Sequence, residues 1–144
     1  MESTDTIKLL KECDAGTKMA VSSIDDVLNQ VNDVHLKTLL TESKVNHTKT
    51  GNEIHRLLLA ADSEDKEPAA IAKGMSWMKT NMKLAMDDSD RTVADLITDG
   101  CNMGIKSLYR YLNQYKAADE ESKGLCQELI ALEETLRHEL RCYL

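Results

Sequence analysis

A chain of 144 residues is the length of one domain and can bury roughly 70% of its unfolded surface, so a single core suffices. One proline, six glycines, no phenylalanine, one tryptophan and four tyrosines weigh against a sheet protein built on turns and aromatic strands, and leave an all-α fold. The net charge of −7, with no dominant basic face, excludes a nucleic-acid footprint, and no run of about 18 apolar residues is present to span a membrane.

The opening Met1-Glu2-Ser3-Thr4-Asp5 lacks the basic and apolar regions of a secretion signal, so a cytoplasmic protein is expected. In that setting Cys13, Cys101, Cys126 and Cys142, none in a C-x-x-C, read as reduced, small core or half-buried residues. A redox or metal role for them is the lesser reading. Cys13 stands between Glu12 and Asp14, whose negative charge discourages a reactive thiolate.

In chain order, Ile7, Leu10, Thr17, Val21, Ile24, Leu28 and Val31 keep a three-to-four spacing that predicts a long first helix, with Asp14 the only charge on the stripe. Asn32-Asp33 supplies a stop and then an N-cap. A second stripe follows through Leu36, Leu40, Ser43, His47, Thr50, Ile54, Leu57 and Ala61, and predicts an antiparallel return. Beyond the acidic stretch 62–67, Pro68 suits the first turn of a shorter third helix carrying Ile71, Met75, Met78, Met82 and Met86. Ser89 caps a fourth helix through Val93, Ile97, Gly100, Gly104, Leu108, Tyr111 and Tyr115. Asp119-Glu120-Glu121 opens a fifth through Leu125, Leu129, Leu132, Leu136 and Tyr143.

Two long hairpins joined by a long crossover that contains an additional short helix give a ferritin-like four-helix bundle as one domain over 1–144. No fixed-period repeat is visible. The similar length of the two hairpins leaves an ancient duplication open.

The middle of the first hairpin carries Asp14, Thr17, Ser43, His47 and Thr50 where its ends carry leucine and isoleucine. Thr17 and His47 each lie 15 residues from Asn32, which predicts one level about 22 Å into the bundle. Two readings stand side by side: an Asp14–His47 hydrogen bond that fixes register, or a metal or proton-transfer site built on the same two residues. Glu134 and His138 share a helical face that the leucine stripe turns outward, while Glu139 is expected to face inward. Gly100 and Gly104, one turn apart on the predicted core side, call for a close neighbour such as Trp77 or a methionine, or else for a small ligand cavity. The methionine stripe reads as packing. No catalytic triad, P-loop or nucleophile elbow is present.

The segments Leu9-Leu10-Lys11-Glu12-Cys13-Asp14-Ala15-Gly16, Ile71-Ala72-Lys73-Gly74-Met75-Ser76-Trp77 and Ala94-Asp95-Leu96-Ile97-Thr98-Asp99-Gly100-Cys101-Asn102-Met103-Gly104 lend the chain a resemblance to a known family. Over nearly its whole length it resembles a bacterial ferritin-like four-helix-bundle family, a domain of unknown function. The resemblance implies a fold and brings no reaction. Where iron-storing and oxidase members carry Glu-x-x-His, this chain has Lys44-Val45-Asn46-His47 and Thr135-Leu136-Arg137-His138, so a complete di-iron site is not expected. The function expected is that of a non-enzymatic bundle acting through its surface or through self-association, with apolar area enough for a homodimer. The alternative is a weakly bound single metal ion at Asp14 and His47.

Overall fold

The computed structural model describes residues 3–61 and 89–144. Within them the chain forms α1 (Thr4–Leu28), α2 (Val34–Ala60), α3 (Asp90–Gln114) and α4 (Glu120–Leu140), closed by a 3-10 turn at Arg141–Tyr143. No strand occurs among the described residues. The predicted third helix, Pro68 to Met86, lies outside them.

Each helix starts where its sequence supplies an oxygen for an orphan amide. Ser3 accepts from Thr6 N, Asp33 from Leu36 N, Ser89 from Thr92 N and Asp119 from Ser122 N. These caps carry a regularity that the sequence hides. Ser89 follows Ser3 by 86 residues, and Asp119 follows Asp33 by the same interval. The hairpin α1–α2 and the hairpin α3–α4 are therefore laid out on one plan.

Each hairpin also holds the other's turn. Asp90, in the first turn of α3, accepts hydrogen bonds from Asn32 N at 2.8 Å and Asp33 N at 2.9 Å in the α1–α2 turn. In the first turn of α1, Asp5 accepts from Ala117 N at 2.9 Å and Thr6 Oγ1 accepts from Asp119 N at 2.8 Å, both in the α3–α4 turn. The start of α3 thus lies at the α1–α2 turn, and the start of α1 at the α3–α4 turn.

Packing is closest within the hairpins, followed by α2 against α4, while α1 and α3 meet more loosely. The apolar interior falls into two clusters. One gathers Ile24, Val27, Leu36, Leu40, Val93, Ile97, Leu136 and Leu140, and the other Leu9, Leu10, Ile54, Leu58, Leu108, Cys126 and Leu129. Between them lie the buried polar residues Asp14, Thr17, Ser43, His47, Thr50 and Glu133.

The α2 stripe matches its expected residues from Leu36 to Ile54. On α1 the buried face is rotated: Leu9, Cys13 and Val27 are buried, whereas Ile7, Val21 and Leu28 are only half-buried. A helix that packs against α2, α3 and α4 together buries a wider arc than one stripe. On α3 the buried face is Val93, Ile97, Cys101, Ile105 and Leu108, so Gly100 is displaced to the exposed edge and Gly104 to a half-buried position.

Candidate functional site

The centre of the polar belt is His47 on α2. Its Nδ1 lies 2.8 Å from the Ser43 carbonyl oxygen, one turn back, and 3.3 Å from the Ser43 hydroxyl. Its Nε2 lies 2.9 Å from Glu133 Oε1 on α4. A carbonyl oxygen only accepts, so Nδ1 carries hydrogen; Nε2 facing a carboxylate then requires a second proton in the contact. Burial presses the imidazolium to shed that proton, but the hydrogen bond and charge of Glu133, helped by the Ser43 carbonyl, outweigh it and hold the His47 pKa above its usual 6.5. Below that raised pKa the pair is a buried imidazolium–carboxylate contact.

Around it the remaining belt groups find local partners. Thr17 Oγ1 donates to Cys13 O at 2.8 Å, and Thr50 Oγ1 donates to Glu128 Oε1 at 3.3 Å. The Asp14 carboxylate, within a residue only 2% exposed, lies 3.0 Å from Lys18 Nζ one turn along its own helix. The expected Asp14–His47 hydrogen bond is not formed, because both nitrogens of His47 are taken by Ser43 and Glu133. Thr17 abuts Gly51, where an added Cβ would come within 2.8 Å of Thr17 Cγ2. Gly51, one turn beyond His47, is what lets α1 approach α2 there, and the level predicted for Thr17 is shifted accordingly.

Sequence periodicity alone misses Glu133. Leu125, Leu129, Leu132 and Leu136 suggest a stripe that leaves it outside, yet the buried face of α4 runs Cys126, Leu129, Ile130, Glu133, Leu136 and Leu140. The signal is present: 126, 129, 133, 136 and 140 keep a clean three-to-four spacing once a glutamate is allowed on it. Glu139, expected inward, is exposed, and so are Glu134 and His138 as their face predicts.

Above the His47–Glu133 contact the loose meeting of α1 and α3 leaves a cleft of about 340 Å³. Its walls include Ala15, Gly16 and Ala20 beside Met19 from α1 and Gly100, Cys101 and Gly104 beside Met103 from α3, and His47 and Glu133 lie at its floor. Among the described residues nothing lies within 4 Å of a Cβ built at Gly16 or Gly100. The close neighbour expected at Gly100 is therefore not found among them; Trp77 and the methionines named with it lie outside the described residues. Cys101 faces Glu133, and burial, followed by the charge and hydrogen bonding of that carboxylate, pushes its thiol well up, so it stays protonated. Cys13, Cys101 and Cys126 are buried and Cys142 is exposed, in contrast to the core or half-buried expectation for the last.

Among the described residues, no three His, Cys, Asp or Glu side chains are grouped to hold a metal ion, and no helix is long and apolar enough to cross a membrane. The chain matches no protein-family model, no curated protein and no solved structure.

Proposed function

We propose that the chain is a non-enzymatic, ferritin-like bundle that acts through its surface, and that the acting surface is the α1–α3 cleft, which receives a small, largely apolar molecule. Ferritin-like connectivity is supported by the placement of the turns: α2 runs back towards the start of α1, whereas α3 begins at the α1–α2 turn. The observation that carries the binding reading is the space left unfilled among the described residues. A bundle of this length ordinarily closes its four helices around one core, but here small residues on two facing helices keep open about 340 Å³, at the lower end of the range for small-molecule pockets. Apolar walls with a few polar groups at the floor are the usual composition of such a site. The metal reading has less support, because Asp14 is engaged by Lys18 and His47 by Glu133.

A neutral, environment-sensitive apolar dye tests the proposal. Titrated into the untagged, reduced protein, it should bind saturably at one site, and Gly100→Leu and Ala20→Leu, which project side chains into the cleft, should abolish that binding while the helical content is kept. Saturable binding that both variants leave unchanged would place the guest elsewhere and defeat the proposal.

A further inference from the structure

The charge lining the cleft is one-sided. It is net negative: Glu12 and Glu133 contribute carboxylates, the His47 imidazolium offsets only the one it is tied to, and no lysine or arginine is among the described residues that line it. Glu12 is occupied at the rim, where it interacts with the Tyr111 hydroxyl. Glu133 is different. Its side chain retains 11% exposure against 1% for that of His47, so a guest entering the cleft meets the carboxylate before the imidazole.

Gly104 is what leaves the carboxylate reachable from α3. A Cβ at that position would stand 3.6 Å from Glu133 Cδ and 3.8 Å from Oε1, so any longer side chain would lie across the carboxylate. The glycine costs the helix roughly 1 kcal/mol relative to alanine, yet among the described residues a Cβ alone would make only ordinary contact, so close packing against them does not account for it. An open approach to a buried charge does.

We infer that the guest of the cleft is an organic cation, with an apolar body against the α1 and α3 walls and a protonated amine that replaces the His47 proton on Glu133. The inference rests on the cleft being a ligand site, as proposed above, and adds the chemical class of the ligand. The exchange balances. An ammonium enters and forms its hydrogen bond to the Glu133 carboxylate, the Nε2–H···Oε1 bond breaks, and His47 releases one proton to solvent while keeping its Nδ1–H on the Ser43 carbonyl. One positive charge arrives and one leaves, so the buried site stays neutral, which a low-dielectric interior favours.

A carboxylate guest would instead add a second negative charge beside Glu133, and a neutral guest would leave the proton in place. The other polar groups around the pair are engaged elsewhere or uncharged. On α2 the Ser43 carbonyl only accepts, on α3 the Cys101 thiol stays protonated, on α1 Asp14 is held by Lys18, and on α4 Arg137 donates to Asn102 Oδ1 at 2.9 Å.

The test is calorimetric titration of the full chain with hexylamine, hexanol and hexanoate, which share one apolar body, in buffers of differing ionisation enthalpy. Hexylamine should bind most tightly and release about one proton. Its affinity should rise about tenfold between about pH 5.5 and about pH 6.5, where His47 is still protonated in the free protein. Gly104→Val, which covers Glu133 without removing it, should weaken the amine at least tenfold and hexanol much less; Glu133→Gln should do the same if it folds. Equal binding of amine and alcohol with no proton released overturns the inference and leaves the cleft as a site for neutral molecules. Tighter binding of hexanoate overturns it as well. Failure of all three probes to bind removes both the inference and the ligand-site reading beneath it.

Discussion

His47 and Glu133 occupy equivalent places in the two hairpins, each fourteen residues after the N-cap aspartate of its helix, Asp33 or Asp119, and they meet at 2.9 Å. The pair that holds the centre of the bundle is thus one position of a repeated plan, filled by a base in one hairpin and an acid in the other. Their separation of 86 residues is the offset of the helix starts themselves. A duplication that the sequence leaves open is in this way supported by geometry, since residue identity at the equivalent positions has diverged while caps and helix starts have kept their interval.

The energetics of that contact follow from burial. Removing one partner strands the other in the core, whereas replacing both with apolar groups removes the desolvation cost along with the bond. His47→Leu should therefore destabilise by about 3–5 kcal/mol. Glu133→Leu should cost less, about 1–3 kcal/mol, because the stranded imidazole can shed its proton. The double variant should be within about 1 kcal/mol of the parent or more stable. Urea denaturation of all four proteins measures this, and a double variant as unstable as the sum of the singles would show that the pair does more than satisfy itself.

The pH dependence has a definite sign. The folded pKa of His47 is raised above 6.5, so its contribution to stability is complete below the unfolded value and is lost as pH rises through the folded one. Thermal unfolding midpoints should fall as pH increases above about 6.5, and this component should vanish in the Leu–Leu double variant. A midpoint that instead rises over that range in the parent alone would contradict the protonated pair.

Much of this architecture is legible in the amino-acid sequence. The α2 stripe, the Asp33 and Ser89 caps and the polar middle between apolar ends are consequences of local spacing and capping chemistry, and each is set by residues within a turn or two of one another. What is not legible depends on facing helices. Glu133 hides behind a leucine-rich stripe, and Asp14 has its partner Lys18 on its own helix where one across the bundle is expected. Gly100 reads as a core glycine until α3 is rotated to bury Cys101 and Ile105. Rotational phase is a tertiary property, decided by which neighbours a helix has, and a single stripe does not encode it.

The turn clamps give a separate expectation. Asp90 accepts from two main-chain amides of the opposite hairpin's turn, and charge-assisted bonds of this kind are about twice as strong as neutral ones. Asp90→Ala should cost about 1–3 kcal/mol, and Asp90→Asn, which keeps one acceptor, should cost less. Hydrogen exchange at Asn32 and Asp33 should accelerate in the alanine variant; unchanged protection there would mean that the turn is held by something else.

The glycines separate two reasons for lacking a side chain. Alanine is favoured over glycine in a helix by about 1 kcal/mol, so a glycine facing open space can be replaced with gain, and one pressed by a neighbour cannot. Gly16 and Gly100 face open space among the described residues, whereas a Cβ at Gly51 would lie 2.8 Å from Thr17 Cγ2, a methyl fixed on a β-branched side chain. Gly16→Ala and Gly100→Ala should each stabilise by up to about 1 kcal/mol. Gly51→Ala should show no gain or a net loss, since separating α1 from α2 to relieve the contact costs about as much as the helix propensity returns. If Gly51→Ala proved as stabilising as the other two, the close approach of α1 and α2 at Thr17 would be wrong. The Gly51→Ala, Thr17→Ser double variant completes the cycle: serine lacks the Cγ2 methyl, so it should restore most of the gain that the single substitution is denied.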